Sequence, residues 1–369
     1  MKIGIMSAAH VHADAYIGCL RSIPEVDIVG IADHDNERGA IFAEQYGLHY
    51  FASYKELLEQ KLDGVIITSE NSFHAELAKQ AARHGVHILC EKPLATNVRD
   101  AKEIVDAAKK AGVILMTVFP MRFSVPVRTV KEELAAGKLG APLCFNASNQ
   151  GQLPPRDRPW FTDPVLAGGG AIADHVVHLA DIMRWYMGTE VVEVYAAANR
   201  IFHADEVQAE TGGMVSMQFK NGVFATIDCS WSRPDSWPSW GGLSFDLITD
   251  NGAVHVDAFR QNLTIYPAPK VSASSSSANA KTSPANTTGA AARTEADHDW
   301  TTAHGHGDRG FGPRWLYWGS DANQAMIQEF ISAIQEGRQP AVTGEDGLAA
   351  VRIIEAAYKS IQEGKAVRV

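Results

Sequence analysis

Short apolar runs alternate with helical patterns through the first 120 residues, and this alternation constrains the fold more than any other feature. The runs KIGIM (2–6), VDIVGIAD (26–33), LDGVIITS (62–69), GVHILCEKP (85–93) and GVILMTVFP (112–120) are nearly continuous in Val, Ile and Leu. Strands buried on both faces read this way, because neither face meets water. Between them, SFHAELAKQAARHG and NVRDAKEIVDAAKKAG carry helical spacing and close on glycine. Strand–helix–strand repetition predicts an α/β fold with a doubly wound parallel sheet and right-handed crossovers over residues 1–121.

Beyond Met121 the pattern changes. A helical stretch, PVRTVKEELAAGKLG, leads into alternating runs such as GGMVSMQFKNGVFATIDCSWS and LSFDLITDNGAVHVDAF. Asn221-Gly222 and Asn251-Gly252 fall between strand-like flanks and predict hairpins. Residues 122–369 therefore read as a second, α+β domain with an open, mainly antiparallel sheet, interrupted by a low-complexity excursion at about 271–297. Helical spacing returns in DANQAMIQEFISAIQEG and GEDGLAAVRIIEAAYKSIQEG.

Charge and cysteines narrow the class of function. A formal net charge of −10 argues against nucleic acid and anionic membrane as partners. No run approaches ~18 consecutive apolar residues, so no membrane span is expected. The four cysteines lie far apart without a CxxC pair, and read as reduced thiols of a cytoplasmic protein.

Two segments carry chemistry. CEKPLA (90–95) ends a parallel strand, where doubly wound sheets bind ligands. Lys92 can point its ammonium into such a cleft, although Lys-Pro at a strand end is equally an ordinary turn. In GGGAIADHVVHLADIMRW (168–185) three glycines allow close approach of backbone to a ligand or another segment. The following helix sets Asp174, His178 and Asp181 on one narrow face. An Asp one turn before a His can orient the ring and raise its pKa, as proton transfer requires. Apolar Ile172, Leu179, Ile182 and Met183 on the same helix also suit a core histidine. His175 lies about 100° around from Asp174, and no metal is expected, because no Cys/His cluster accompanies the pair.

These strings together resemble the glucose–fructose oxidoreductase / inositol dehydrogenase (Gfo/Idh/MocA) family. The likeness runs through IITSENSFHAELAKQAARHGVHILCEKPLATNVRDAKEIVDAAKKAGV, the GGG helix, and the closing GSDANQAMIQEFISAIQEGRQPAVTGEDGLAAVRIIEAAYKS. It implies a Rossmann domain, NAD (with NADP possible) as cofactor, a carbohydrate or polyol substrate, and a homodimer or homotetramer formed through the open sheet. By position it places the catalytic lysine on Lys92, the helix acid on Asp174 and the histidine on His178. Asp181 becomes a substrate-hydroxyl ligand, and Glu91 of the EKP triplet a cofactor neighbour.

The resemblance also sets a puzzle at GIMSAAHVHADAY (4–16). Ser7, Ala9 and His12 occupy the places of the glycines in the family's G-x-G-x-x-G turn, where glycine allows close approach to pyrophosphate and helix–strand packing. The helix start still offers N–H groups to an anion. His10 or His12 can donate to a phosphate oxygen, or else cover the helix start. Asp33, at the tip of the second strand, suits ribose hydroxyls and favours NAD over NADP, while Arg38 nearby keeps NADP open. Ser69 and Asn71 should lie near the ribose; Glu70 stands where the family usually has proline. Arg122, Trp160, Arg156 and Arg158 are candidate substrate contacts, by charge or by stacking on a sugar ring. The family leaves three functions open: a sugar or cyclitol dehydrogenase, a redox-neutral glycosidase that regenerates bound NAD, and a ligand-sensing protein without turnover.

Overall fold

All five apolar runs of the first 120 residues are strands: β1 (Lys2–Met6), β2 (Asp27–Ala32), β4 (Gly64–Ile67), β5 (His87–Cys90) and β6 (Leu115–Thr117). A sixth, β3 (Tyr50–Phe51), is two residues long, too short to leave a period in the sequence. The computed structural model describes residues 1–237, 239–260, 262–267, 301–302, 314–317 and 321–369. The excursion expected at 271–297 lies outside the described residues. The six strands form one parallel sheet in the order β3-β2-β1-β4-β5-β6. The order reverses between β1 and β4, and the crevice at that reversal is where such sheets receive ligands.

Helices α1 (His12–Arg21), α2 (Asn36–Tyr46), α3 (Tyr54–Leu58), α4 (His74–Arg83) and α5 (Val98–Ala111) connect these strands. Their ends carry the expected chemistry. Asp35 and Asn97 accept the N–H groups of Arg38 and Asp100 as N-caps, and Gly47 and Gly112 close the C-termini in the left-handed conformation.

Among the described residues the second sheet has ten strands: β7 (Pro142–Gln152), β8 (Val191–Asn199), β9 (Gly212–Phe219), β10 (Phe224–Arg233), β11 (Gly241–Thr249), β12 (Gly252–Asp257), β13 (Asn262–Pro267), β14 (Thr301–Thr302), β15 (Arg314–Tyr317) and β16 (Val367–Arg368). Both Asn-Gly hairpins form, joining β9 to β10 and β11 to β12. One pairing departs from the antiparallel pattern: β10 runs parallel to β7. The intervening chain makes this possible, because α7 (Pro164–Ala167) and α8 (Ala171–Met187) return it to the other end of the sheet. The remaining helices are α6 (Val125–Ala135), α9 (Ala322–Glu336) and α10 (Gly344–Glu363).

α8 lies across the inner face of the sheet with Ile172, Val176, Val177, Leu179, Ile182 and Met183 fully buried. The segment Pro164–Met187 is long and apolar enough to cross a bilayer, and 72% of its most apolar window is buried within this fold. α10 packs on α8 and β8 on one side and on α5 and β6 on the other, so it ties the two sheets together.

The glycine triplet serves this packing. A Cβ on Gly169 would stand 1.8 Å from the Tyr358 hydroxyl oxygen, one on Gly170 2.0 Å from the Glu210 carbonyl, and one on Gly168 2.7 Å from Thr96. The close approach is therefore to neighbouring chain segments. Glu210 Oε1 accepts from the N–H groups of Gly170 and Ile172, which fixes the start of α8 and with it Asp174 in the first turn.

Candidate functional site

The glycine-free turn is built from compensating hydrogen bonds. Ser7 adopts φ +78°, a conformation that costs a non-glycine residue about 1 kcal/mol. Its hydroxyl donates to Asp33 Oδ2 at 3.0 Å, its carbonyl accepts from Thr68 Oγ1 at 2.6 Å, and the Ala8 N–H reaches the same Asp33 oxygen at 2.8 Å. His12 is the first residue of α1. Its Nδ1 lies 2.9 Å from Glu91 Oε1, which also accepts from Tyr16 at 2.6 Å. His10 is buried against Phe161 and Trp160, and its Nδ1 accepts the His12 N–H at 3.2 Å.

Both imidazoles thus face the protein interior, as a brace over the helix start where the family uses glycine. The ligating atoms of His10, His12 and Glu91 lie within 4.8 Å of one another, a spacing that could hold a metal ion. Scanning the α8 histidines for metal ligands misses this trio, because Glu91 arrives from another strand. Each Nδ1 already has a hydrogen-bond partner. Burial works to raise the Glu91 carboxyl, but His10 and His12 beside it hold it below the usual carboxylate range.

β5 and α8 bring Lys92 and Asp174 together. Lys92 Nζ lies 2.5 Å from Asp174 Oδ1 and donates to the Asp174 carbonyl at 3.2 Å. The other carboxylate oxygen accepts from Trp231 Nε1 at 3.2 Å and stands 3.5 Å from His175 Nε2. Burial opposes the charge on Asp174, yet Lys92 and then His175 hold its carboxyl far below the ordinary value.

The expectation that Asp174 steers His178 needs correction. Both oxygens of Asp174 are committed elsewhere, since a buried carboxylate gains more from an ammonium than from a neutral ring. His178 Nδ1 is buried without a partner, its ring edge-on to Phe119 at 6.2 Å. Its pKa is lowered, not raised: burial disfavours the imidazolium, and the Lys92 charge adds to that. His178 is a neutral imidazole at pH 7.

Toward the other end of the crevice, a cavity of about 590 Å³ is walled in part by Ala8, Arg38, Glu70, Arg158 and Trp160. Asp33 lies behind Arg38 and is saturated. Oδ1 accepts from Arg38 Nη2 at 2.7 Å and Asp35 N at 3.0 Å, and Oδ2 from Ser7, Ala8 N and Arg38 Nε at 2.9 Å. Burial raises its carboxyl, but the bonds from Arg38 and the Ala8 N–H outweigh this and hold it low. Ser69 donates to the Glu70 carbonyl, and Asn71 Nδ2 to the Ala167 carbonyl at 2.8 Å. Glu70 Oε2 and Asn71 Oδ1 are buried acceptors without a donor. Asn71 also lines a small interior pocket with His10, Lys92, Gly169 and Asp174. Unpaired buried acceptors on two consecutive residues, one lining each pocket, fit a dinucleotide, whose riboses bring hydroxyl donors.

All five expected substrate contacts are engaged by other parts of the chain. Arg122 donates to both oxygens of Asp181 at 2.6 Å, and to the Ala341 carbonyl at 3.0 Å; both side chains are buried. The pair ties α8 to the start of α10, where Asp346 stands 3.1 Å from Arg122. Neither residue lines the small pocket beside Lys92. Trp160 stacks on Phe161 at 3.9 Å and donates Nε1 to the Ala9 carbonyl at 3.1 Å, so it clamps the turn and one indole face is covered. Arg158 joins it on the Ala8 and Ala9 carbonyls. Arg156 pairs with Glu206.

Comparison with known proteins agrees with this geometry. The family profile "Oxidoreductase family, NAD-binding Rossmann fold" matches residues 2–119, and the "GFO/IDH/MocA C-terminal domain" profile matches 127–255. The chain is 27% identical to 1,5-anhydro-D-fructose reductase of Ensifer adhaerens over 99% of its own length and 98% of that protein. It is also 27% identical to myo-inositol 2-dehydrogenase of Thermotoga maritima, covering 100% and 98%. The structure of levoglucosan dehydrogenase with NADH and levoglucosan shares the fold at a TM-score of 0.82 and 20% identity, covering 100% and 99%. These matches, on a parallel sheet with an acid-held lysine at its crevice, identify the chain as a member of the Gfo/Idh/MocA family and an NAD(P)-dependent oxidoreductase.

Proposed function

We propose that the chain moves hydride between the nicotinamide and a hydroxyl-bearing carbon of a sugar, cyclitol or sugar derivative, with Lys92, Asp174 and His178 as its working set. The carrying observation is the buried Lys92–Asp174 pair beside a neutral histidine whose Nδ1 has no partner. When bound, the nicotinamide supplies the hydride acceptor. Lys92 holds its ammonium where the alkoxide develops. Asp174 keeps that ammonium in place and is a positioning residue. His178, neutral and unpaired, takes the hydroxyl proton. Ser7, Ala9, Asp33, Ser69, Asn71 and Glu91 build the cofactor side, with His10 and His12 bracing its turn. The reductase and dehydrogenase names of the relatives support a carbohydrate or cyclitol substrate.

A panel of sugars and polyols assayed with NAD tests this reading: NADH must accumulate in proportion to product. Release of a leaving group without NADH would instead mark a redox-neutral cleavage. The pH profile gives a sharper check on His178. Because burial lowers its pKa, the acid limb of kcat/KM is expected below ~6.5, the ordinary imidazole value. In His178→Gln that limb disappears and kcat falls about 10²- to 10⁴-fold. A limb that survives the substitution unchanged would remove His178 from proton transfer.

We further propose that residues 1–121 hold the dinucleotide, and that the outer face of the large sheet joins copies of this chain. Tyr195, Met214, Phe224 and Ile248 project from that face, exposed, on neighbouring strands. Apolar side chains aligned in this way suit a dimer or tetramer. Light scattering should give twice or four times the chain mass, and Phe224→Lys with Met214→Lys should reduce it toward one. The four cysteines, free and mostly buried, suit the cytoplasm; fractionation of cells making the tagged protein checks that placement.

A further inference from the structure

We propose that Glu70 is the carboxylate that receives the adenosine ribose and excludes a 2′-phosphate, a role that fold logic would give to Asp33 alone. The inference rests on the dinucleotide lying in the crevice as described above.

A ribose hydroxyl needs an acceptor with a lone pair to spare. Asp33 has none, because its two oxygens receive five hydrogen bonds, two of them from Arg38. A hydroxyl could reach Asp33 only by displacing a guanidinium, and a charge-assisted bidentate contact is the stronger of the two. Glu70 is differently placed. It follows β4, lines the cavity of about 590 Å³, and is 4% exposed. Its Oε1 accepts from Arg38 Nη1 at 3.0 Å, while its Oε2 has no partner. A buried carboxylate oxygen left unpaired destabilises the fold unless a ligand satisfies it.

Charge sets the selectivity. Arg38 stands between Asp33 and Glu70, so one cation answers two anions. His34 faces both acids, its Nδ1 3.4 Å from Asp33 and its Nε2 3.6 Å from Glu70, and it is 40% exposed. Two carboxylates against one guanidinium leave the cluster net negative. A dianionic 2′-phosphate would meet that charge, and Arg38, held on two sides, could not turn to it without leaving both acids bare. A neutral hydroxyl meets no such barrier. Proline, the family's usual residue at this position, would leave Arg38 a single acid and a free donor.

The test is calorimetric titration of the purified chain with NAD and with NADP at pH 8. Wild type is expected to prefer NAD by at least ~100-fold, from two like charges facing a phosphate at short range. Glu70→Gln keeps the shape, removes one charge and frees Arg38. It should tighten NADP by about tenfold or more, and weaken NAD about three- to tenfold. Glu70→Pro should shift the ratio in the same direction. A Glu70→Gln ratio within twofold of wild type, or a wild type that prefers NADP, overturns the assignment of Glu70. If wild type binds neither dinucleotide, the cofactor-site reading falls with it, and that result is distinct from an unchanged ratio.

Discussion

Replacing Lys92 by methionine is expected to lower kcat/KM by roughly 10³- to 10⁴-fold while leaving NAD affinity nearly unchanged. The magnitude follows from losing a full, preorganised positive charge at the developing alkoxide. The selectivity follows from where Lys92 points. Its ammonium is engaged by Asp174 on α8 and lines the small interior pocket, while the 590 Å³ cavity is walled by other residues. The substitution also strands Asp174, whose low pKa is maintained chiefly by Lys92 against burial. Its carboxyl should then titrate near or above the ordinary range, so Lys92→Met should lose stability as pH rises through that new value. Lys92→Met with Asp174→Asn removes the stranded charge. It should restore much of the stability and none of the turnover, and steady-state kinetics beside denaturant melts separate the two effects. A single variant that keeps a tenth of wild-type kcat/KM would withdraw Lys92 from the chemistry.

The readability of this site in the sequence had a definite limit. Signals confined to one element were legible: EKP at the end of β5, the Asp–His–Asp spacing on α8, and the acid ending β2 each fall where local rules place them. Partnerships across elements were not. Helical spacing puts Asp174 and His178 one turn apart, but the lysine that claims Asp174 is 82 residues away. Asp181 shares the same helical face, and Arg122 claims it from a distant segment. The same limit hid Glu70, which becomes meaningful only when Arg38 is seen to bridge two acids. In the fold, five strands left an apolar run, while β3 is too short to leave one. The parallel β7–β10 pair depends on the path of the chain through α8, which strand patterns do not encode. The glycine triplet announced close approach without naming the neighbour. Only packing shows it to be Tyr358, Glu210 and Thr96.

The second large effect concerns stability. Arg122→Met is expected to cost about 3–5 kcal/mol at pH 8, because it leaves a buried carboxylate without its cation. Asp181 has no exposed surface, and its pKa is already pushed up to about 6 by burial, even with Arg122 donating to both oxygens. A folded-state pKa above the unfolded value of ~3.9 means that the protonated form favours folding. That contribution is complete below ~3.9 and is lost as pH rises through about 6. Removing Arg122 takes away the strongest influence lowering that pKa, so the folded carboxyl titrates higher still and remains neutral over more of the range. The penalty of Arg122→Met must therefore be larger at pH 8 than at pH 5, where Asp181 can shed its charge. Arg122→Met with Asp181→Leu should recover most of the loss, as buried pairs replaced by apolar groups commonly do. Asp346 keeps Arg184 at 3.3 Å as a second cation, and so is not stranded in either variant. Urea melts at the two pH values decide the matter: equal penalties at both would mean that Asp181 does not carry the charge assigned to it.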